Sequence, residues 1–384
     1  MPKVLAFTRN RKRSRVVCDE GETLHEDVFE AARSNGPKPP AQRRRAESAR
    51  ARLDDGTQQD EVLISVVVPT CGRPQLLNRC IASLVLQNFD PFRFEIIIVD
   101  DRPSDDTRAV AERWAQHAAG LGPEVIYIPS PGPHGPAAAR NRGWRAARGG
   151  IIAFTDDDTI ASPEWLENGL SSFQGNVHAV WGRIVMPLNG TPTDYELDAR
   201  NLETAEFVTA NCFCRKETLE ELGGFDERFR FAWREDSDLY FRLIEHQANI
   251  VHNPQAVITH PIRPAGWGVS LSQLKKIQFD ALLFKKHPAR YRERIRATPR
   301  WDYYITVAAL LGAIVALAAG KPAIAAACGV LWVLMTARFT IKRLRNTSKS
   351  PAHVAEMIVT SALIPPVAVF WRAVGALKFR VAWI

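Results

Sequence analysis

The chain has 384 residues, 46% of them hydrophobic and 24% charged, a globular composition with length for about two domains, which excludes a wholly disordered chain. Its net charge of +8 is unevenly placed: residues 1–60 carry +3, residues 61–284 carry −8 and residues 285–384 carry +13. An acidic middle excludes a uniformly basic nucleic-acid binder, so no nucleic-acid partner is expected.

Residues 1–60 read as a poorly ordered basic arm. They hold a Pro- and Arg-rich stretch with little to bury, including Arg43, Arg44 and Arg45. The first residues, MPKVLAFTRNRKRSR, lack the apolar run of a secretory signal. Six scattered cysteines show no CxxC spacing, which points to a reducing compartment and to neither a zinc site nor a disulfide framework.

At Val62 the texture changes. VLISVVVP (62–69), FEIIIVDD (94–101), VIYIPS (125–130) and IIAFTDDD (151–158) are apolar runs typical of buried parallel strands. Between them lie helical patterns at 74–87, 104–118 and 137–148, with Ser104 as a cap. The alternation predicts an α/β domain over 61–263 with a mostly parallel central sheet. Ligands of such sheets bind beyond the carboxyl ends of the strands.

A basic segment follows at 264–302, expected to be helical and juxtamembrane, with Trp267 and Phe279 packing on lipid, on substrate or in the core. Residues 303–320 and 323–337 are two apolar stretches around Gly320-Lys321-Pro322, which predicts a transmembrane hairpin over 303–337. Basic flanks at both outer ends place those ends, and the globular domain, on the cytoplasmic side of the inner membrane. Within 338–384 a third apolar stretch, 357–371, contains Pro365-Pro366; interfacial, re-entrant and spanning placements all fit it.

The chemistry concentrates at strand ends. Asp100 and Asp101 close the second strand, and Asp156, Asp157 and Asp158 close the fourth. Clustered carboxylates at a crevice need compensation, which a divalent cation such as Mg²⁺ or Mn²⁺ supplies while also holding a diphosphate. Further on, Glu235 and Asp236 open a helix whose apolar face carries Leu239, Leu243 and Ile244. Acids at a helix start suit its dipole, and one held near a metal–diphosphate site can act as a general base.

These motifs, in order, resemble family 2 glycosyltransferases of the GT-A, Rossmann-like nucleotide-sugar-binding fold. The resemblance runs from about Val62 to Arg263 through SVVVPTCGRPQLL, IIIVDDRPSDDT, GPAAARNRGW, FTDDDTIASPEWL, ANCFCRKETLEELGGFDERF and WREDSDLYFRL. It implies that Pro69, Thr70 and Arg73 line the nucleotide pocket, with Asp100 and Asp101 at its base-binding turn. It places Arg140 near the sugar or diphosphate, and Asp156 and Asp158 as the outer acids of a DxD-type element. Asp158 would bind the metal and Asp156 the metal and the ribose–diphosphate side; which two of the three acids dominate stays open, since Asp157 also matches a functional acid in some members. Asp236 would be the catalytic base with Glu235 beside it, and His260 a further metal or phosphate ligand.

The reading implied is a membrane-anchored, metal-dependent, inverting enzyme. It would move a sugar from a nucleotide-sugar, UDP-linked by family habit, to a hydroxyl of a lipid-linked or cell-envelope glycan. Two alternatives are a polyprenyl-phosphate sugar synthase and a non-catalytic membrane scaffold that binds nucleotide-sugar. The QxxRW motif of processive synthases is not matched: Arg300-Trp301 lack the Gln, which favours single-sugar transfer over polymer extrusion.

Overall fold

A computed structural model describes residues 61–120 and 122–382. The predicted arm at 1–60 lies outside the described residues.

One eight-stranded sheet organises the domain. Strands β1 (Ile64–Thr70), β2 (Phe94–Asp100), β3 (Glu124–Pro129) and β4 (Ile151–Phe154) pair in parallel in the order β3-β2-β1-β4. Every residue of β1, β2 and β4 is buried, which is why these segments are continuous apolar runs. Helices α1 (Pro74–Val85) and α2 (Asp105–Ala118) cover one face through Leu77, Ile81, Leu84, Val110 and Trp114. Ser104 caps α2 as expected, accepting from the Thr107 amide at 3.3 Å. Helix α3 (Pro136–Ala146) covers the other face, and Gly143 lets it approach Val67 closer than any Cβ would allow.

The sheet is mostly parallel as expected, with four of its seven strand pairings parallel, and its second half adds antiparallel strands. Beyond β4 the order is β7-β6-β8-β5, formed by β5 (Ile160–Ala161), β6 (Val177–Val185), β7 (Cys212–Arg215) and β8 (Asn249–Thr259). Here β4–β7, β6–β7 and β5–β8 are antiparallel, and only β6–β8 is parallel. The cause is visible in β6, where buried residues alternate with half-buried and exposed ones. That is the habit of a strand with one wet face, unlike the fully buried runs before it. The sheet is therefore mixed.

Helix α4 (Trp165–Ser171), α5 (Asp194–Arg200), α6 (Lys216–Leu222) and α7 (Glu235–Glu245) complete the domain. Leu219, Leu239 and Leu243 join α6 and α7 to the face that α3 covers. The segment after β8 is helical: α8 (Val269–Gln273), a 3₁₀ turn, α9 (Gln278–Lys286) and α10 (Pro288–Arg294). Phe279, Leu282, Leu283 and Tyr291 pack with Phe229 and Phe241 of the sheet domain, so Phe279 is core, whereas Trp267 stays 58% exposed.

Three helices long and apolar enough to cross a membrane follow: α11 (Trp301–Ala318), α12 (Pro322–Leu344) and α13 (Pro351–Phe379). At 1.5 Å per residue, α11 and α12 measure about 27 and 35 Å, close to the ~30 Å hydrocarbon thickness. Helix α12 outruns the expected hairpin end at 337, because Arg338, Lys342 and Arg343 continue the helix at the end where its dipole favours cations. Its last turns dock on the globular domain: Arg343 pairs with Asp194 at 2.7 Å, and the Ser348 amide donates to Pro192 O at 2.8 Å.

Helix α13 runs through Pro365-Pro366 without ending. Near its start Glu356 accepts from the Gly268 amide at 2.8 Å. At its far end Lys378 Nζ donates to Gln278 Oε1 at 2.9 Å, and Lys285 Nζ donates to Phe379 O at 2.8 Å. Both ends thus touch the 268–285 segment. His353, Thr360, Ser361 and Arg372 are buried, while Ile358, Leu363, Phe370 and Leu377 are exposed.

Candidate active site

The carboxyl ends of β1, β2 and β4 meet at one crevice, and the turn after β4 arranges its acids. Thr155 and Thr159 hydroxyls lie 2.7 Å apart, Thr159 Oγ1 donates to Asp156 O at 2.7 Å, and Cys80 Sγ donates to the same carbonyl at 3.3 Å. This pinned turn sends the three carboxylates in different directions.

Asp157 points inward. Its Oδ2 accepts from Thr70 Oγ1 at 2.6 Å, and its Oδ1 pairs with Arg73 at 2.8 Å. Burial raises its carboxyl to about 6 despite Arg73 and Thr70. Asp156 and Asp158 face the crevice with His260, their ligand atoms all within 4.8 Å of one another. The geometry therefore groups the outer two acids and gives Asp157 to the wall. Two carboxylates and an imidazole suit Mn²⁺, and also Mg²⁺ with water completing its shell, so this cluster can hold a divalent cation.

Cations hold this cluster together. Arg263 Nε lies 3.0 Å from Asp158 Oδ2, and Arg73 Nη1 lies 3.7 Å from the same oxygen. Arg140, itself buried, donates to Asp156 Oδ1 at 2.7 Å and to Glu235 Oε1 at 3.0 Å. Burial opposes ionisation of Asp156, but Arg140, His260 and Arg73 outweigh it and hold the carboxyl below its usual range. Glu235 behaves oppositely: burial first, then the adjacent Asp236 charge, push it up to about 7 against the pull of Arg140.

Asp236 is half-buried beside this pair. Its Oδ1 accepts from the Ser237 amide at 2.6 Å and the Ser237 hydroxyl at 3.2 Å. Its Oδ2 has no hydrogen-bond partner among the described residues and is open to a ligand. The helix start that presents it depends on Arg234, a non-glycine residue at φ 76°. Asp280 of α9 holds that turn, accepting from Arg234 Nε at 2.7 Å and from Trp233 Nε1 at 2.8 Å.

On the β2 side, Asp101 accepts from the Gly135 amide at 2.9 Å and lies 3.3 Å from His134 Nδ1. Asp100 is buried and occupied, accepting from the Arg102 and Ser104 amides of its own turn and from Tyr127 Oη of β3. Pro69 and Thr70 end β1 beside these turns, and Arg73 is one-third exposed at the mouth. So Thr70, Arg73, Arg140, Asp156, Asp157, Asp158, Glu235 and His260 form one contiguous network, Asp236 adjoins it, and Asp100 serves a turn. Sequence reasoning missed Arg263 and Asp280 as site residues. An Arg just past VITHP was the available signal for the first; nothing local marks the second.

The chain belongs to the glycosyltransferases: the model described as Glycosyl transferase family group 2 matches residues 151–372, more than half the chain, and Glycosyl transferase family 2 matches residues 65–225. Among individual relatives, it is 25% identical over 215 residues to the glycosyltransferase AglE of Haloferax volcanii, spanning 53% of this chain and 68% of that protein. It is 26% identical over 204 residues to the GalNAc(5)-diNAcBac-PP-undecaprenol beta-1,3-glucosyltransferase of Campylobacter jejuni, spanning 49% of this chain and 62% of that one. A solved mannosyltransferase from Pyrobaculum calidifontis, in complex with GDP-Man and Mn²⁺, superposes with a TM-score of 0.48 at 18% identity, covering 94% of this chain and 97% of that one. The matched regions thus span about two thirds of the two sequence relatives' own length.

Proposed function

We propose that the protein is a membrane-anchored, metal-dependent, inverting glycosyltransferase. It transfers one sugar from a nucleotide-sugar, UDP-linked by preference, to a hydroxyl of a lipid-linked or cell-envelope glycan. The observation that carries this reading is the Asp156–Arg140–Glu235 chain: it ties the cation-binding cluster to the helix start bearing Asp236, so donor and acceptor chemistry share one crevice.

In this reading Pro69, Thr70, Arg73, Asp100 and Asp101 shape the nucleotide pocket. Asp156, Asp158 and His260 hold Mg²⁺ or Mn²⁺, which offsets charge on the departing diphosphate. Arg140 and Arg263 add positive charge on the same side. Asp236 accepts the acceptor hydroxyl's proton through its open oxygen as that hydroxyl attacks the anomeric carbon from the face opposite the leaving group. Glu235, pushed up to about 7, keeps Arg140 in line with Asp156.

The hairpin α11–α12 would cross the inner membrane with the catalytic domain on the cytoplasmic side. Helix α13, touching the 268–285 segment at both ends, would lie along the membrane surface with its apolar face in lipid. The Campylobacter relative, whose name states a polyprenol-diphosphate-linked acceptor, supports a lipid-borne acceptor here.

The test is release of nucleoside diphosphate from UDP-, GDP- and dTDP-sugars by the full chain in detergent, with Mn²⁺, Mg²⁺ or EDTA. Metal-dependent release from one donor, lost in Asp158→Ala, supports the reading. Binding of nucleotide-sugar without turnover under any metal condition favours the scaffold alternative.

A further inference from the structure

The helix start that carries Glu235 and Asp236 is held from outside its own sequence neighbourhood. Arg234 sits there at φ 76°, a left-handed conformation that glycine adopts freely and a residue with a Cβ resists. Its carbonyl nonetheless opens α7, accepting from the Asp238 amide at 2.9 Å. No side chain among the described residues caps that start.

Asp280 of α9 supplies the restraint. Its Oδ1 accepts both from Arg234 Nε, at 2.7 Å, and from Trp233 Nε1, at 2.8 Å, while Tyr291 Oη of α10 lies 3.4 Å from its Oδ2. The Arg234 guanidinium also stacks over the Trp233 ring, 4.6 Å from its centroid. The loop before Arg234 wraps the same helix: Phe229 and Phe231 pack on Phe279 with ring centroids 6.1 and 5.4 Å apart. An acid in the first turn of α9 suits that helix's dipole. Serving the dipole needs no particular partner, however, and Asp280 is buried and committed to two donors.

Helix α9 is itself seated on α13, and the contacts flank Asp280. A Cβ on Gly375 would lie 2.6 Å from Gln278 O and 2.8 Å from Gln278 Cα, two residues before Asp280, and 3.1 Å from Ala281 Cβ, one residue after it. Lys378 Nζ donates to Gln278 Oε1 at 2.9 Å, and the Phe379 ring lies 6.0 Å from that of Phe279. Close backbone packing leaves Asp280 little freedom to move along α9's axis while α13 stays in place.

We propose that Asp280 is a positioning residue for the catalytic base, and that α13 is the strut that fixes it, so that turnover depends on the apolar helix being docked. The inference rests on the reading of Asp236 as the base. What the strut holds, the left-handed turn at Arg234, is independent of that reading.

The experiment follows both levels in the full chain in detergent. The first readout is hydrolysis of whichever UDP-, GDP- or dTDP-sugar the wild type cleaves, with water standing in for the acceptor hydroxyl. Asp280→Ala should lower kcat by about tenfold or more, the scale of a misplaced catalytic group. KM for the donor should stay within about twofold, because donor binding is untouched. Adding Arg234→Gly to Asp280→Ala should recover part of kcat, since glycine holds the left-handed turn without a partner. Asp280→Asn, which keeps an accepting oxygen, should fall between and serves if Asp280→Ala is unstable. Gly375→Val should lower kcat in the same way; Lys378→Met, which removes the bond to Gln278 without a clash, should act more weakly in the same direction. The second readout is hydrogen exchange at the first two turns of α7, which should quicken in Asp280→Ala and Gly375→Val and slow again with Arg234→Gly. Wild-type kcat in Asp280→Ala, a matching rise in KM, no recovery with Arg234→Gly, or wild-type kcat in both α13 variants overturns the proposal. If the wild type hydrolyses no donor, the exchange pattern decides: the predicted changes leave the strut standing and count against the transferase reading alone, and unchanged exchange overturns the strut.

Discussion

Arg140 and Glu235 form a buried ion pair, 3.0 Å from Nη1 to Oε1, across 95 residues of sequence. The other arm of the same guanidinium reaches Asp156 at 2.7 Å. One planar side chain therefore couples the end of β4 to the start of α7. Lysine, a single point charge, cannot hold both carboxylates in this fork.

Breaking that fork should be costly. Arg140→Ala leaves Glu235 and Asp156 without their buried cation, a change worth ~3–5 kcal/mol when one partner of a buried pair is removed. A denaturant titration should show that loss. Arg140→Lys should restore part of the stability and little of the transfer activity. A variant as stable as wild type would contradict the role given to this residue.

Asp236→Asn keeps the shape and removes the base. Sugar transfer should fall by ~10²–10⁴-fold, the usual contribution of a general base. Nucleotide-sugar binding, measured by calorimetry with Mn²⁺ present, should hardly change. Equal loss of binding and turnover would assign Asp236 to the donor pocket instead.

Cation binding should stabilise the fold by mass action. Excess Mn²⁺ at a hundred times its dissociation constant adds about 2.7 kcal/mol, read as a rise in melting temperature. EDTA should reverse it. Asp158→Ala should abolish the rise and His260→Ala should reduce it, because both belong to the three-ligand cluster. An unchanged rise in Asp158→Ala would place the ion elsewhere.

Stability should depend on pH through two buried carboxyls. Glu235 is raised to about 7 and Asp157 to about 6, both above their unfolded values. The folded state then holds protons that the unfolded chain releases. This contribution is complete below about pH 4 and is lost as pH climbs through 6 and 7. Metal-free protein should thus unfold progressively more easily between pH 5 and 7.5. Glu235→Gln should flatten that slope; a slope unaffected by it would show that Glu235 ionises normally.

Gly375 marks where α13 docks. A Cβ there would lie 2.6 Å from Gln278 O and 3.1 Å from Ala281 Cβ. Gly375→Val should pry α13 from α9 and increase protease cleavage near Lys378 and Lys285, with secondary structure retained. Unaltered cleavage would mean that α13 tolerates displacement at this end.

The local sequence was enough to determine the parallel half of the sheet, the helices over it and the acids at its edge. Continuous apolar runs such as Ile64–Thr70 are buried on both faces, and that requirement is written in consecutive residues. The two apolar hairpin helices were legible for a similar reason: length and hydropathy are additive along the chain. Tertiary structure alone decided the antiparallel half, because a strand with one wet face is shaped by the neighbour it meets, as β6 is by β7 and β8. It also decided which of Asp156, Asp157 and Asp158 face the crevice, since the Thr155–Thr159 turn, Thr70 and Arg73 are brought together only by folding. Asp280 was invisible for the same reason: a carboxylate 46 residues from Arg234 acquires its meaning from packing, which no local pattern encodes.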